Sequence, residues 1–211
     1  MSTNGNNGDV FGSIKTGYQV EQAVMETLRD WMPTAIMELE YQEGREVGLI
    51  QPPRYYARPR FEGFPMDYHP MIVVVSPGLA DRPAAEGDGR YRGWFVMGLG
   101  CTAISRDDAL ASYLSKFYVA AARWVMLNQQ TLRDEVSGIN RASGIEWMDE
   151  TYDDSVAQDE DQSIRASYGI FQVLVEDLVT RQTGVKQKYT PGSKWPTANV
   201  IGINVDITED N

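Results

Sequence analysis

Three stretches carry residue types whose spacing could do chemistry. Gly98-Leu-Gly100-Cys-Thr-Ala103 matches G-x-G-x-x-A, the pattern that lets a glycine turn approach a dinucleotide pyrophosphate at a helix N-terminus. Its context opposes that use. Arg90 to Ile104 alternates as one strand, so the glycines fall inside the strand, where they suit close packing of a helix or an aromatic ring. The next helix signals its start at Ser105, with Asp108 at the capping-box position and Asp107 beside it. Two carboxylates would then face the place of a phosphate.

The second stretch, Asp149 to Asp161, holds seven carboxylates and no basic group. It lacks the sixth-position glycine of an EF-hand loop, having Asp154 there, and does not supply acidic or amide ligands at the alternate positions Thr151, Ser155 and Ala157, so calcium binding is not expected. A solvated, self-repelling loop and a surface that keeps a passing polyanion from sticking both remain open. Glu146 with Asp149 could serve as a glycosidase pair, but acidic residues are too common here for that spacing to be informative. The single histidine, His69, has no cysteine or second histidine to share a metal with and no serine or cysteine nucleophile paired to it. No catalytic, cofactor-binding or metal site is therefore expected, and no cofactor.

The third stretch, Gln51 to Phe61, interleaves proline, tyrosine and arginine: Arg54, Tyr55, Tyr56, Arg58 and Arg60. Extended or polyproline-like backbone suits it. Such a segment could stack single-stranded bases, lie on a neighbouring protein surface, or cover its own domain.

The elements that must position these residues follow from periodicity. Residues 1–13 are polar with little to bury, and a flexible N-terminus is expected. Thr16 opens a helix with Gln19 at the capping-box position and Val20, Val24, Leu28 and Trp31 on its apolar face. Pro33 implies a kink or a new helix from Thr34 to Tyr41. Residues 45–69 form the extended arm. Met71 to Val75 is a strand buried on both sides, ended by Pro77-Gly78 and joined through an exposed connection to the strand at Arg90. The helix after Ser105 buries Leu110, Leu114, Phe117, Ala121, Trp124 and Val125. A strand around Ile145 to Tyr152 leads into the acidic loop 149–161. Gln162 to Val175 is a long strand whose apolar phase slips after Ile170, which implies a bulge there.

After residue 185 the chain reads as a linker. It ends in a clean alternation of Ile201, Ile203, Val205 and Ile207 that could pair with its own sheet or with another subunit's edge.

The fold class expected is α+β: a mostly antiparallel, twisted sheet of about four to six strands with two main helices packed on one face, plus the arm and the C-terminal strand. Residues 14–185 form one domain, and 186–211 a linker and strand extension. The chain's 211 residues suit one domain with extensions. Its one cysteine, Cys101, excludes an intramolecular disulfide. A formal charge of −11 disfavours a groove that grips nucleic acid, though not a surface past which DNA slides. No apolar run is long enough for a membrane span, and no membrane partner is expected.

The order helix, strand, strand, helix, strand, with an acidic segment and a β-rich ending, resembles the tail terminator (tail completion) family of long-tailed bacteriophages. Three pieces carry the likeness: the helix Tyr18 to Pro33, the strand Met71 to Val75, and the strand-helix pair ending Ser105-Arg-Asp-Asp-Ala-Leu-Ala-Ser-Tyr-Leu114. The strand Ile164 to Val175 suits it also.

The resemblance implies a structural virion protein at the head–tail junction, assembled in the host cytoplasm, and not an enzyme. It implies a homo-oligomer, a hexameric ring, that terminates the tail tube. The partners implied are the major tail tube protein, the head–tail connector or stopper protein, and DNA passing non-specifically through the pore. On that reading Arg54, Tyr55, Tyr56, Arg58, Arg60, Ile201, Ile203, Val205 and Ile207 are subunit or tube contacts. Asp153, Asp154, Asp159, Glu160 and Asp161 would face the channel. The alternatives are another neck or connector protein of the same junction and a non-viral α+β ligand-binding or regulatory module.

Overall fold

The computed structural model describes residues 15–57, 68–86, 90–132, 142–159 and 162–180. The expected mobile N-terminus, Arg58, Arg60, Glu160, Asp161 and the C-terminal strand lie outside them.

Two helices, α1 (Gly17–Gln42) and α2 (Asp108–Asn128), pack on one face of a six-stranded sheet. The strands are β1 (Tyr55–Ala57), β2 (Met71–Leu79), β3 (Ala84–Ala85), β4 (Arg90–Ser105), β5 (Gly144–Asp159) and β6 (Gln162–Thr180). Their order across the sheet is β1-β2-β4-β6-β5, with β3 beside the start of β4. All pairs are antiparallel except β1 with β2. This is the expected α+β class, with both helices on one side.

The start of α1 is as its sequence specifies. Thr16 accepts from the Gln19 N–H, and the Gln19 side chain accepts from the Thr16 N–H at 3.0 Å. Pro33 neither ends the helix nor starts a second one. Val20, Val24, Leu28, Met32, Ala35 and Ile36 form one buried face that runs past the proline. An interior proline costs about 3 kcal/mol, whereas fully burying a side chain such as Leu28 or Ile36 contributes about 1.5–3 kcal/mol, so the continuous face prevails. Trp31, expected on that face, is exposed, and Met32 takes its place.

The start of α2 is a correction. Ser105 is the last residue of β4, and the cap is Asp107, whose carboxylate accepts from the N–H groups of Ala109 and Leu110. The Ser105 hydroxyl instead accepts from the Asp107 N–H at 3.1 Å. Two rival side-chain acceptors stood two residues apart, and the ionised one took the helix end. The buried face keeps Phe117, Ala121 and Val125 of the expected set, with Leu114 and Trp124 packed against the core, widens to Ala111, Ser115, Tyr118 and Ala122, and leaves Leu110 exposed.

Two sheet expectations also change. β2 does not stop at Pro77-Gly78 but passes through them, with a register shift between Val75 and Gly78. A proline has no N–H to offer a ladder, and a bulge is where its absence is tolerated. The N–H of Ser76, freed by that bulge, donates to Glu21 of α1 at 2.6 Å.

β6 has no bulge at Ile170. Its ladder with β4 is continuous from Ser163 to Val175, and the extra residue lies in the neighbouring strand, at Met148 of β5. The phase slip is a change of face. Phe171, Val173 and Val175 point at the helices and are buried, whereas Tyr168 and Ile170 stand on the other side.

Candidate functional site

That other side is where the fold leaves chemistry unspent. The helix side of β4 carries Phe95, Met97, Leu99, Cys101 and Ala103, all buried. By strand alternation, Gly98, Gly100 and Thr102 face away from the helices. The same alternation places Met71, Val73 and Val75 of β2 on one flank and Tyr168 and Ile170 of β6 on the other. The middle row is low because two of its three residues have no side chain. A Cβ at Gly98 would stand 3.1 Å from Val75 Cγ1, and one at Gly100 would stand 3.4 Å from the Tyr168 ring. The aromatic contact expected for these glycines is therefore made at Gly100, by Tyr168.

The result is an apolar trough of about 580 Å³. Val75, Tyr168 and Ile170 are 37%, 39% and 40% exposed, more than a core would leave them. Val73 is half-buried, so β2 is not the strand buried on both faces that its sequence implies.

The same geometry removes the dinucleotide reading. Gly98 to Ala103 lies wholly within β4, and α2 begins only at Asp108. The first free N–H groups of that helix are taken by Asp107, and Asp108 is engaged by the Arg165 guanidinium, which holds its carboxyl below the usual range.

Among the described residues the sheet has two edges, β1 and β5. β1 is anchored from within its own chain. Glu40, fully buried near the end of α1, accepts from the N–H groups of Gly48 and Ile50 at 2.6 Å each. The Tyr118 hydroxyl donates to the Gln51 carbonyl at 2.8 Å. Tyr56 is half-buried against the core, with the Arg29 guanidinium 5.6 Å from its ring centre, and burial pushes its hydroxyl pKa up. Gln51 and Tyr56 thus hold this part of the segment on its own domain. Arg54 remains exposed ahead of the strand, and Tyr55 pairs with Met71 through the backbone.

β5 corrects the acidic loop. The acidic stretch through Asp159 is strand: Asp153 pairs with Ala166 and Asp159 with Gln162, with a register shift between Asp153 and Ala157 that takes in Asp154. A run of carboxylates suggests a loop because like charges repel. Backbone pairing with β6 nevertheless holds the stretch as strand. α2 supplies counter-charge: Arg123 binds Glu150 at 2.7 Å, and Lys116 lies over the Tyr152 ring.

His69 is placed structurally, its Nδ1 2.7 Å from the Thr102 hydroxyl, and burial lowers its pKa. Glu146 and Asp149 are both exposed. Among the described residues no three His, Cys, Asp or Glu side chains gather as a metal site would need, and no helix is long and apolar enough to cross a membrane.

A smaller hollow of about 410 Å³ lies between α2 and the loop after α1, lined by Arg45, Leu49, Leu110, Tyr113 and Tyr118 among others. Its polar groups are engaged with one another. The Tyr113 hydroxyl donates to Glu43 at 2.6 Å, and Arg45 binds Glu43 and covers the Tyr113 ring.

Sequence reasoning missed Glu40, Glu21 and the open-face row of β2. Neither glutamate carries a local signal, since each bonds to a loop or strand that only the fold brings near. The sequence matches no protein-family model and no curated protein.

Proposed function

We propose that this chain is a structural subunit that assembles side by side into a ring, and specifically a tail terminator at the head-proximal end of a phage tail tube. One observation carries the ring: among the described residues, the sheet ends in two unpaired edges of different character on opposite sides of the subunit. β1 is a short edge preceded by the exposed Arg54, and β5 is a 16-residue edge rich in carboxylates. A contact of β1 with β5 joins two different patches, so it is head-to-tail, the kind of contact that closes into a ring when the rotation per subunit completes a circle.

The resemblance to tail terminators supports six copies and a role that is structural rather than catalytic. Its partners are then the tube protein, the connector or stopper protein, and DNA in transit. The net charge of −11 suits a pore lining that does not retain DNA.

Negative-stain imaging of the concentrated protein, alone and with tube protein, tests this reading. A six-fold ring with a central pore, or a capped tube, is expected. A monomer in both samples refutes it and favours a monomeric binding module.

A further inference from the structure

The apolar trough on the open face of the sheet needs a cover, and the chain contains one of matching chemistry. We infer that the chain's own C-terminal segment, Ile201 to Ile207, lies along this trough as an extended strand, over the low row of Gly98 and Gly100 and between Val73 and Ile170.

Three considerations lead there. The first is pattern. Ile201, Ile203, Val205 and Ile207 make one wholly apolar face, with Gly202, Asn204, Asp206 and Thr208 on the other, so the segment has one side to bury and one to leave in water.

The second is shape. The β2 and β6 rows stand two strand spacings apart, about 9.6 Å, with the glycine row between them. That width admits the single side-chain row of one strand, and the trough's lining is overwhelmingly apolar.

Reach is the third. Thr180, the last residue of β6, pairs with Arg90, and Gly100 lies ten residues further along β4, about 33 Å away. The twenty residues from 181 to 200 span up to about 66 Å when extended, and about 25 Å on average as a flexible coil. A tether of that length holds the segment near its own trough at millimolar effective concentration, which favours closure within the chain over capture of a second copy. The contact is intrachain, so it holds whether or not the subunit forms a ring.

Disulfide trapping in the full-length chain at high dilution tests it. Cys101 is fully buried on the opposite side of the sheet and can stay in place. Val73→Cys is combined with Ile203→Cys, which would face the trough, and in a control with Asn204→Cys, which would face water. Mild oxidation should give an intrachain crosslink about tenfold or more faster for the first pair than for the control, because strand alternation brings residue 203 within disulfide reach of residue 73 and turns residue 204 away. Equal rates for the two pairs overturn the proposal, as do crosslinks formed only between chains. A second variant needs no crosslink: Ile203→Asp with Val205→Asp should release the segment and raise the binding of an apolar dye, with unchanged far-ultraviolet circular dichroism. Unchanged dye binding in a folded variant would equally overturn it.

Discussion

Glu40 is the residue whose substitution says most about how the edge of the sheet is held. It is completely buried, and its two carboxylate oxygens each accept one backbone N–H, from Gly48 and Ile50, at 2.6 Å. Those bonds pin the loop that delivers β1 to the side of β2. A hydrogen bond to an ionised group contributes about 1.5–3 kcal/mol net, and a buried donor left without a partner costs about 1–3 kcal/mol. Glu40→Gln keeps one acceptor oxygen and turns an amide N–H₂ toward the other donor, so it loses one bond and orphans one N–H. The expected cost is about 2–4 kcal/mol, a large part of a typical total stability of 5–15 kcal/mol. With a urea slope of about 2 kcal/mol per molar, the unfolding midpoint should fall by about 1–2 M. Amide exchange at Gly48, Ile50 and the β1 backbone should accelerate in the same variant. Glu46→Gln, exposed in the loop after α1, is the control and should stay within about 0.5 kcal/mol of the parent. If Glu40→Gln also stays within that range, the carboxylate does not hold the loop, and the account of how β1 is anchored fails.

Three further substitutions probe the sheet and the helix that covers it. A Cβ at Gly169 would stand 2.5 Å from Cζ2 of Trp147, whose ring is stacked on Phe171 at 5.3 Å and has little room to retreat. Gly169→Ala should therefore cost about 1–3 kcal/mol, as overpacking does, and Gly100→Ala, which meets the Tyr168 ring at 3.4 Å, markedly less; equal urea midpoints for the two would contradict the close Trp147 contact. The Tyr118 hydroxyl is pushed up from 10.0 to about 12 by burial, so below pH 10 both folded and unfolded chains keep the proton and its contribution is fully present. As the pH rises from about 10 to about 12 the unfolded chain ionises first and that stability is lost. Tyr118→Phe should flatten this alkaline slope, and an unchanged slope would show that Tyr118 does not titrate as the structure implies.

How much was legible depended on the range of the interaction. The capping box at Thr16, the helical periods of α1 and α2 and the strand character of β4 and β6 are set by neighbours within a turn or two, and each appears in the structure. The start of α2 moved by two residues because local sequence offered competing caps. The acidic run in β5 was misread for a different reason. Its strand state comes from pairing with β6, and charge patterning carries no information about a partner strand.

The amino-acid sequence by itself determined the class of the fold, the placing of its main helices and strands, and the failure of the glycine motif as a nucleotide turn. Its two-residue and three-to-four-residue periods, its caps and its prolines are local quantities that the chain specifies before it folds. Tertiary structure alone decided which face of each strand is covered. It showed that the slip after Ile170 is a change of face and that Glu40 and Glu21 serve distant backbone donors. It also left Val75, Tyr168 and Ile170 around a glycine floor as an apolar trough. Alternation tells which residues share a side of the sheet, but only the packing of α1 and α2 against one side determines which side remains open.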